Sequence, residues 1–272
     1  MKGKNTMFDY RKNKERFIPN NLGSLYIDKS KLAGSEVPII YIGGQMEQRF
    51  HIIEQTGYTF DSGHNMFAGS WFYDYPLFGI DKSKVNAHNM ADNLLEALRL
   101  AHIDEVNIVT ESFGGMIAAY ASKSHQIQNI YAIHPPILGT PLANPSCLDE
   151  YKGLFNNYEL SLLKMLKIIV DPKYGFEKDN YNGININEVD LKKILVIGSF
   201  IDPTLEKNKM VKGLYDMLLK AYRLRSDGVV IFDSKKFDEL GINHVDDTTS
   251  YNHIEAGSEK YLNDFKEHYI KK

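Results

Sequence analysis

The sequence contains a single cysteine, Cys147, among its 272 residues. One cysteine can form neither a disulfide within the chain nor a thiolate-rich zinc site. No apolar run approaches the roughly 18 residues of a membrane span, so we expect no stable membrane insertion. The formal net charge is only −3, which gives no reason to expect a nucleic-acid partner. Neither a Gly-x-Gly-x-x-Gly nor a Walker-type run occurs, so the sequence disfavours nucleotide binding, and we expect no cofactor and no metal.

What remains is the composition of an ordinary globular chain, with 43% hydrophobic and 25% charged residues. This length is enough for one sizeable core, and we expect a single domain, 1–272, with an insertion at 146–190. The N-terminus lacks a basic segment followed by an apolar one, so we expect a cytoplasmic protein. His51 and His64 lie in a polar, glycine-dotted stretch at 47–69 without metal-ligand spacing, and we expect them at the surface or lining a gap.

The stretch at 106–121 organises the rest of the chain. A short apolar run leads into Ser112, and an Ala- and Met-rich helical run follows at once, which predicts a strand, a sharp turn and a helix. A nucleophile at the tip of such a turn needs strained backbone angles and small neighbours two residues away on each side. Gly114 meets this demand, whereas Thr110 is a β-branched residue where glycine is usual.

The flanking pattern alternates strands and helices, which predicts an α/β fold with a mostly parallel sheet. A buried strand at 37–42 ends in Gly43-Gly44-Gln45, and an amphipathic helix at 86–101 leads into the strand before Ser112. Further strands are expected at 127–133 and 191–200, and an early antiparallel strand at 23–30 is expected to pair with 16–18. Helices are expected from Thr204 to about Leu224 and from about Gly257 to the end.

The alternation breaks between residues 146 and 190. The run at 158–170 is apolar around most of its circumference, which indicates cover on several sides. A cap over a cleft would provide such cover and is favoured over simple core packing, and a homodimer interface is a further alternative. The Asn-rich segment 179–187 is expected to be a return loop. The proline-rich loop 134–142 is expected at the carboxyl edge of the sheet, where such sheets bind ligands.

Several short motifs resemble those of the α/β-hydrolase superfamily, and of bacterial lipases and esterases in particular. They are the turn around Ser112, Gly43-Gly44, Asp74 with Pro76 and Gly79, Gly139-Thr140-Pro141, Ser226-Asp227-Gly228, and Asn252-His253-Ile254-Glu255. Two positions depart from the family pattern, namely Thr110 and Glu111, which stand where glycine and histidine are common.

The resemblance implies a catalytic triad in the chain order Ser, acid, His. Ser112 is the expected nucleophile and His253, in the loop before the last helix, the expected base. Asp227 is the favoured acid because it belongs to a lipase-like motif, and Asp202, at the end of an apolar strand, is the alternative acid. The resemblance also places the oxyanion hole at the backbone N–H groups of Phe113 and Gln45, with Gly44 as the next candidate for the latter. His244 and His268 lie at less suitable positions.

The function expected from this resemblance is hydrolysis of carboxylic esters that carry an apolar acyl part, through an acyl-enzyme. The same triad could serve an acyltransferase or a thioesterase. A third alternative is a non-catalytic α/β-hydrolase relative that binds a ligand, since fold does not fix function.

Overall fold

The computed structural model describes residues 15–19, 22–27, 37–45, 71–75, 81–247, 251–255 and 259–270. Within these residues, the β-strands form one sheet. In chain order they are β1 (Glu15–Phe17), β2 (Ser24–Ile27), β3 (Ile39–Ile42), β4 (Trp71–Asp74), β5 (Val106–Glu111), β6 (Ile127–Ile133), β7 (Ile194–Gly198) and β8 (His244–Asp246). Their order across the sheet is β1-β2-β4-β3-β5-β6-β7-β8.

Most of the sheet is parallel, as expected. The strands from β3 onward run in the same direction, with β3 beside both β4 and β5 and the pairing continuing to β8. β1 and β2 are antiparallel to their neighbours, which confirms the predicted early antiparallel strand and its pairing with the segment around Arg16. All parallel strands therefore end at one edge of the sheet, where the loops that follow them meet.

The helices lie between and after these strands. Within the described residues, the α-helices are α1 (Ala87–Leu100), α2 (Phe113–Ala121), α3 (Asn157–Ile169), α4 (Gly175–Asn182), α5 (Lys209–Tyr222), α6 (Ser234–Leu240) and α7 (Glu259–Phe265), which continues into a π-helical turn (Lys266–Ile270). The start of α1 follows from its sequence, because the side chain of Asn86 accepts a hydrogen bond from the backbone N–H of Asn89.

Strand β3 shows how the sheet is covered on both faces. Ile40 and Ile42 belong to an apolar cluster with α1 and α2, whereas Tyr41 belongs to a second cluster with α7. Successive side chains of a strand point to opposite faces, so an uninterrupted apolar strand requires cover on both. The apolar strand within 37–42 is covered on both faces in this way, and the sheet is the central layer of the described structure.

The segment between β6 and β7 contains α3 and α4. Helix α3 buries Leu162, Leu163 and Leu166 in a cluster shared with α5. Glu159 caps the start of α3 together with Asn156. Its buried carboxylate also accepts hydrogen bonds from the ammonium group of Lys220 on α5, at 2.7 Å. This pair fixes α3 to α5 by charge as well as by apolar contact.

The other side of α3 is not covered by the described part of the chain. Ile168 is 84% exposed and Ile169 is 58% exposed. Within the described residues of this chain, the cover that was expected on several sides of the helix is found on one side, and cover of the other side by a second copy stays a prediction. Apolar residues all around a helix indicated burial, but packing against α5 uses only one stripe of it.

Two other boundaries differ from the sequence-based expectation. Helix α5 begins at Lys209 rather than near Thr204, because the side chain of Asn208 caps it by accepting from the N–H groups of Met210 and Val211. The expected return loop at 179–187 is wrong in its first part, since α4 extends to Asn182. Gly183, with φ of 73°, then ends that helix.

None of the described helices has both the length and the apolar character to cross a bilayer. His51, His64 and Gly79, together with the polar stretch at 47–69, lie outside the described residues.

Candidate active site

Ser112 stands at the sharp turn between β5 and α2. Its φ of 50° and ψ of −125° are strained for a residue with a side chain. Gly114 makes the turn possible, because a Cβ atom at that position would lie 2.4 Å from the carbonyl oxygen of Ile42. The strand, turn and helix expected at 106–121 are confirmed, with the serine presented at the carboxyl edge of the sheet.

The structure explains how Thr110 replaces the usual glycine. The side chain of Thr110 is buried, and a Cβ atom at Gly115 would lie 3.2 Å from its Oγ1 and 2.5 Å from the Cβ of Pro135. The glycine at position 115 therefore leaves room for the Thr110 side chain, so the turn does not need a glycine at position 110.

His253 lies within hydrogen-bond distance of Ser112, with 3.0 Å between its Nε2 and the serine Oγ. Its loop is held by its two motif neighbours. The side chain of Asn252 accepts from the N–H groups of Ile254 and Glu255, and the carboxylate of Glu255 accepts from the N–H of Asn252. The Asn-His-Ile-Glu motif is therefore a turn that is held by hydrogen bonds within the motif, and it presents the imidazole to Ser112.

Asp227 completes a hydrogen-bonded chain with these residues. Its Oδ2 accepts from Nδ1 of His253 at 2.7 Å, and its Oδ1 accepts from the N–H groups of Val229 and Val230 at 2.8 and 2.7 Å. The hydroxyl of Thr140, from the Gly-Thr-Pro motif, donates to the carbonyl of Val229 and ties the two loops together. Ser112, His253 and Asp227 are thus brought together from three loops at one edge of the sheet.

Asp202 occupies a different position. Its carboxylate accepts from the N–H and the hydroxyl of Thr204 at 2.8 and 2.6 Å, so it closes a local turn after β7. His253 Nδ1 is bonded to Asp227 instead. His244 lies in β8, with its ring against Phe232 and Phe237.

The two candidate oxyanion donors lie on either side of Ser112. Phe113 is the first residue of α2, so its N–H has no partner within the helix. The backbone of Gly44 lies close to Ser112, since a Cβ atom at position 44 would be 3.0 Å from the serine Cβ. The buried hydroxyl of Tyr75 donates to the carbonyl of Gly43 at 3.0 Å and fixes this loop just before Gln45.

The side chain of Gln45 is held by helix α4. Its amide nitrogen donates to the carboxylate of Glu177 at 3.2 Å, and its amide oxygen accepts from Asn180 at 3.3 Å. Phe176 on the same helix meets Phe113 edge to face, with ring centroids 6.4 Å apart. Helix α4 therefore reaches both candidate oxyanion residues.

Charges at the site are concentrated on buried groups. Burial acts to raise the pKa of Asp227, but the neighbouring imidazoles outweigh it and hold that pKa well below its usual range. Burial acts to lower the pKa of His253, but the charge and hydrogen bond of Asp227 and the charge of Glu111 give a net rise. Burial raises the pKa of Glu111, and the charge of His253 only partly opposes it.

His134 also lies at this site, although it belongs to none of the sequence motifs described above. It follows the end of β6, it is buried, and its Nδ1 is 2.9 Å from Oδ2 of Asp227. Ser199, at the end of β7, contacts its other ring nitrogen. Their positions in the sequence could have indicated this, because His134 and Ser199 directly follow parallel strands whose carboxyl ends share one edge of the sheet.

His134, Asp227 and His253 offer three ligand atoms within 4.8 Å of one another. Tetrahedral zinc with bonds of about 2.0–2.1 Å separates its ligand atoms by roughly 3.3 Å. The observed separations of 2.7 and 2.9 Å between imidazole nitrogen and carboxylate oxygen are shorter and match hydrogen bonds or ion pairs better. These spacings fit contacts between the side chains themselves better than ligation of a zinc ion.

No protein-family model matches the sequence. A search of curated proteins also gave no match. The three-dimensional fold, by contrast, is similar to that of solved structures. The mature form of the Bacillus licheniformis lipase BlEst2 aligns with a TM-score of 0.51 and 15% identity, over 86% of this chain and 91% of that one. Its propeptide form aligns with a TM-score of 0.54 and 14% identity, over 85% of this chain and 49% of that longer one.

The esterase EaEST from Exiguobacterium antarcticum aligns with a TM-score of 0.51 and 13% identity, over 94% of this chain and 99% of that one. At such low identities the likeness concerns the fold, and it agrees with the mostly parallel sheet and the serine turn described above. The chain therefore has the α/β-hydrolase fold and resembles bacterial lipases and esterases in its structure.

Proposed function

We propose that this protein is a serine hydrolase that cleaves carboxylic esters through an acyl-enzyme. One observation carries the proposal, namely the hydrogen-bonded chain from Ser112 through His253 to Asp227, with distances of 3.0 and 2.7 Å. These three side chains supply the nucleophile, the base and the carboxylate that acyl transfer by serine requires. The similarity of fold to a lipase and an esterase supports the same reaction class.

In the proposed reaction, Ser112 Oγ attacks the carbonyl carbon of the ester while His253 Nε2 takes the hydroxyl proton. The electron pair of the carbonyl moves to its oxygen, and the tetrahedral intermediate then collapses as the bond to the alkoxide breaks. His253 returns its proton to the departing alcohol, which leaves an acyl group on Ser112. Water then repeats the sequence, releases the carboxylic acid and restores the serine. Asp227 keeps the Nδ1 proton of His253 in place throughout.

The developing oxyanion is assigned to the backbone N–H groups of Phe113 and Gln45. The first backbone N–H of α2, which has no partner within the helix, and the fixed loop at Gly43 and Gly44 support this assignment. Glu177 and Asn180 hold the Gln45 side chain, so α4 would keep the second donor in place.

The proposed substrate is a small-molecule ester with an apolar acyl part. The buried aromatic side chains of Tyr75, Phe113 and Phe176 pack together beside the nucleophile, and this apolar environment supports the proposed apolar acyl part. We further propose that 146–190 forms a cap insertion within one domain, since it contributes Phe176 and the residues that hold Gln45. The exposed Ile168 and Ile169 on α3 are the surface on which a homodimer would form.

Labelling with a fluorophosphonate probe tests the proposed nucleophile directly. We expect stoichiometric modification of Ser112, located by mass spectrometry of the tryptic peptide, because the probe reacts with a serine activated by a neighbouring base. Denatured protein is the control and should not react. A folded protein that stays unlabelled would support the non-catalytic alternative, and modification at another serine would contradict the assignment of Ser112.

The pH dependence of activity follows from the charges around His253. This base works only when it is unprotonated, so kcat/KM falls as the pH drops through the pKa of His253. Because that pKa is raised, we expect the acid limb at a higher pH than an unperturbed histidine would give. The measurement is the pH profile of kcat/KM with a p-nitrophenyl ester.

Glu111→Gln should move this acid limb to lower pH, by a few tenths to about one unit, because it removes a negative charge that favours the protonated imidazole. Glu105, an exposed residue just before β5, provides the matched control, and Glu105→Gln should leave the limb in place. An acid limb that stays unchanged in Glu111→Gln would contradict the proposed influence of Glu111.

A further inference from the structure

The loop that carries His253 is also tied to a distant part of the chain. The side-chain nitrogen Nδ2 of Asn252 donates a hydrogen bond to Oε2 of Glu206 at 2.9 Å, and the two residues are 46 positions apart in the sequence. Glu206 belongs to the connection between β7 and α5. Asn252 is buried, so its amide group depends on protein partners rather than on bulk water.

The direction of the Asn252 amide group is determined by its own turn. Its Oδ1 accepts from the backbone N–H groups of Ile254 and Glu255, both at 3.0 Å. Only the oxygen of an amide group can accept, so Nδ2 must point to the opposite side, where Glu206 lies. A buried amide nitrogen without an acceptor is costly, and the carboxylate of Glu206 supplies that acceptor.

Glu206 is itself held in place on both sides of its position in the chain. Its Oε1 accepts from the backbone N–H of Asn208 at 2.6 Å, and the side chain of Asn208 caps α5. The backbone N–H of Glu206 donates to the carbonyl of Asp202 at 3.0 Å, within the turn after β7. One carboxylate oxygen is therefore bound at the start of α5, and the other is bound to the loop of His253.

We propose that Glu206 is a positioning residue that acts through Asn252 to fix the imidazole of His253. This inference rests on the proposed function, in which that imidazole must stay 3.0 Å from Ser112 and 2.7 Å from Asp227. A hydrogen bond to a carboxylate is shorter and stronger than one between neutral groups, so it is suited to holding a loop. Misplacing a reacting group by about 1 Å costs roughly a hundredfold in rate.

The first test is Glu206→Gln. The carboxylate offers one oxygen to Asn208 and the other to Asn252, whereas glutamine has a single oxygen, so one of the two donors would face an amide nitrogen. We expect kcat for a p-nitrophenyl ester to fall about ten- to hundredfold. KM should stay within about threefold, because His253 acts on the reacting bond.

Glu188→Gln is the matched control. Glu188 is an exposed glutamate whose carboxylate likewise accepts from an asparagine side chain, that of Asn185. Its kcat should stay within about twofold of that of the unmodified protein. A kcat in Glu206→Gln that equals that of this control would overturn the proposal.

The second test exchanges the donor and the acceptor. Asn252→Asp alone places a carboxylate oxygen opposite the carboxylate of Glu206, and it should lower kcat as well. In the double variant with Glu206→Gln, the new amide nitrogen donates to the new carboxylate, and the amide oxygen keeps the bond from Asn208. We expect kcat on the plateau of the pH profile to recover to within about fivefold of the unmodified protein. Losses that simply multiply in the double variant would overturn the proposal.

Hydrogen exchange gives a readout that does not depend on activity. The backbone N–H groups of Ile254 and Glu255 should exchange about tenfold faster in Glu206→Gln and return toward the original rate in the double variant, with the amides of α1 as an internal reference. In the unmodified protein, the side-chain amide of Asn252 should exchange more slowly than that of the exposed Asn157. Equal rates for these two side chains would overturn the proposal even if the variants failed to fold.

The readouts also separate this inference from the proposed function. If fluorophosphonate failed to label Ser112 while the exchange rates responded to Glu206→Gln, the contact between Glu206 and Asn252 would stand and the hydrolase would fall. Labelled Ser112, with kcat and exchange rates that ignore Glu206→Gln, would retain the hydrolase and overturn the role of Glu206.

Discussion

Ser112→Ala is expected to lower kcat/KM for p-nitrophenyl esters by about four to six orders of magnitude. The substitution removes the atom that attacks the ester, and no other hydroxyl is placed by the described residues within reach of His253 Nε2. The fold should survive, because alanine keeps the Cβ atom at this backbone with φ of 50° and removes only the hydroxyl group. Initial rates at several substrate concentrations, with unfolding followed by circular dichroism, measure both effects.

Ser122→Ala is the matched control. This serine is also buried, near the end of the helix that begins beside Ser112, and its hydroxyl accepts a hydrogen bond from the N–H of Asp190. Losing that bond should cost about 1 kcal/mol of stability and leave kcat/KM within a few-fold of the unmodified protein. If Ser112→Ala retained most of its activity, the nucleophile would have to be elsewhere.

The parts of the fold that could be predicted from sequence are those with a local cause. The strand, turn and helix around Ser112 follow from an apolar run, a small-residue turn and a helix-forming run that are adjacent in the chain. Helix α1 follows in the same way from its apolar spacing and from the Asn86 cap. The mostly parallel sheet followed from the alternation of such segments.

The exposed face of α3 and the helix at α4 could not be predicted for a physical reason. Whether an apolar residue such as Ile168 is buried depends on which element packs beside it, and that element, α5, lies about 40 residues further along the chain. Helix α4 has a weakly apolar, Asn-rich sequence. Its side chains instead contact distant positions, since Glu177 is 132 residues from Gln45.

The candidate site shows the same difference between residues marked by a local motif and residues brought together only by folding. Sequence motifs identified Ser112, Asp227 and His253 as candidates, and the structure brings them into hydrogen-bond contact. His134 and Ser199 belong to no motif, and their relevance depends on contacts with Asp227 and Tyr251 that only the folded chain creates. Even the choice between Asp227 and Asp202 required the fold, because both follow patterns that place an acid near the sheet edge.

Asp227→Asn is the substitution that separates those two acids, and we expect it to lower kcat by about three to four orders of magnitude. The reason is the direction of the new amide. The N–H groups of Val229 and Val230 both require an acceptor, so the amide oxygen takes the place of Oδ1. The amide nitrogen then takes the place of Oδ2 and donates to Nδ1 of His253. His253 is left with its proton on Nε2, the wrong tautomer to accept the proton of Ser112.

Asp202→Asn is the matched control for the same chemical change. The Asp202 carboxylate accepts hydrogen bonds from Thr204 within its own turn, and the amide oxygen of asparagine can keep these bonds. We therefore expect kcat within about twofold of the unmodified protein, measured beside Asp227→Asn with the same short-chain ester. If the loss occurred in Asp202→Asn and not in Asp227→Asn, the 2.7 Å contact of Asp227 with His253 would be structural, and the proposed proton path through His253 would need a different carboxylate.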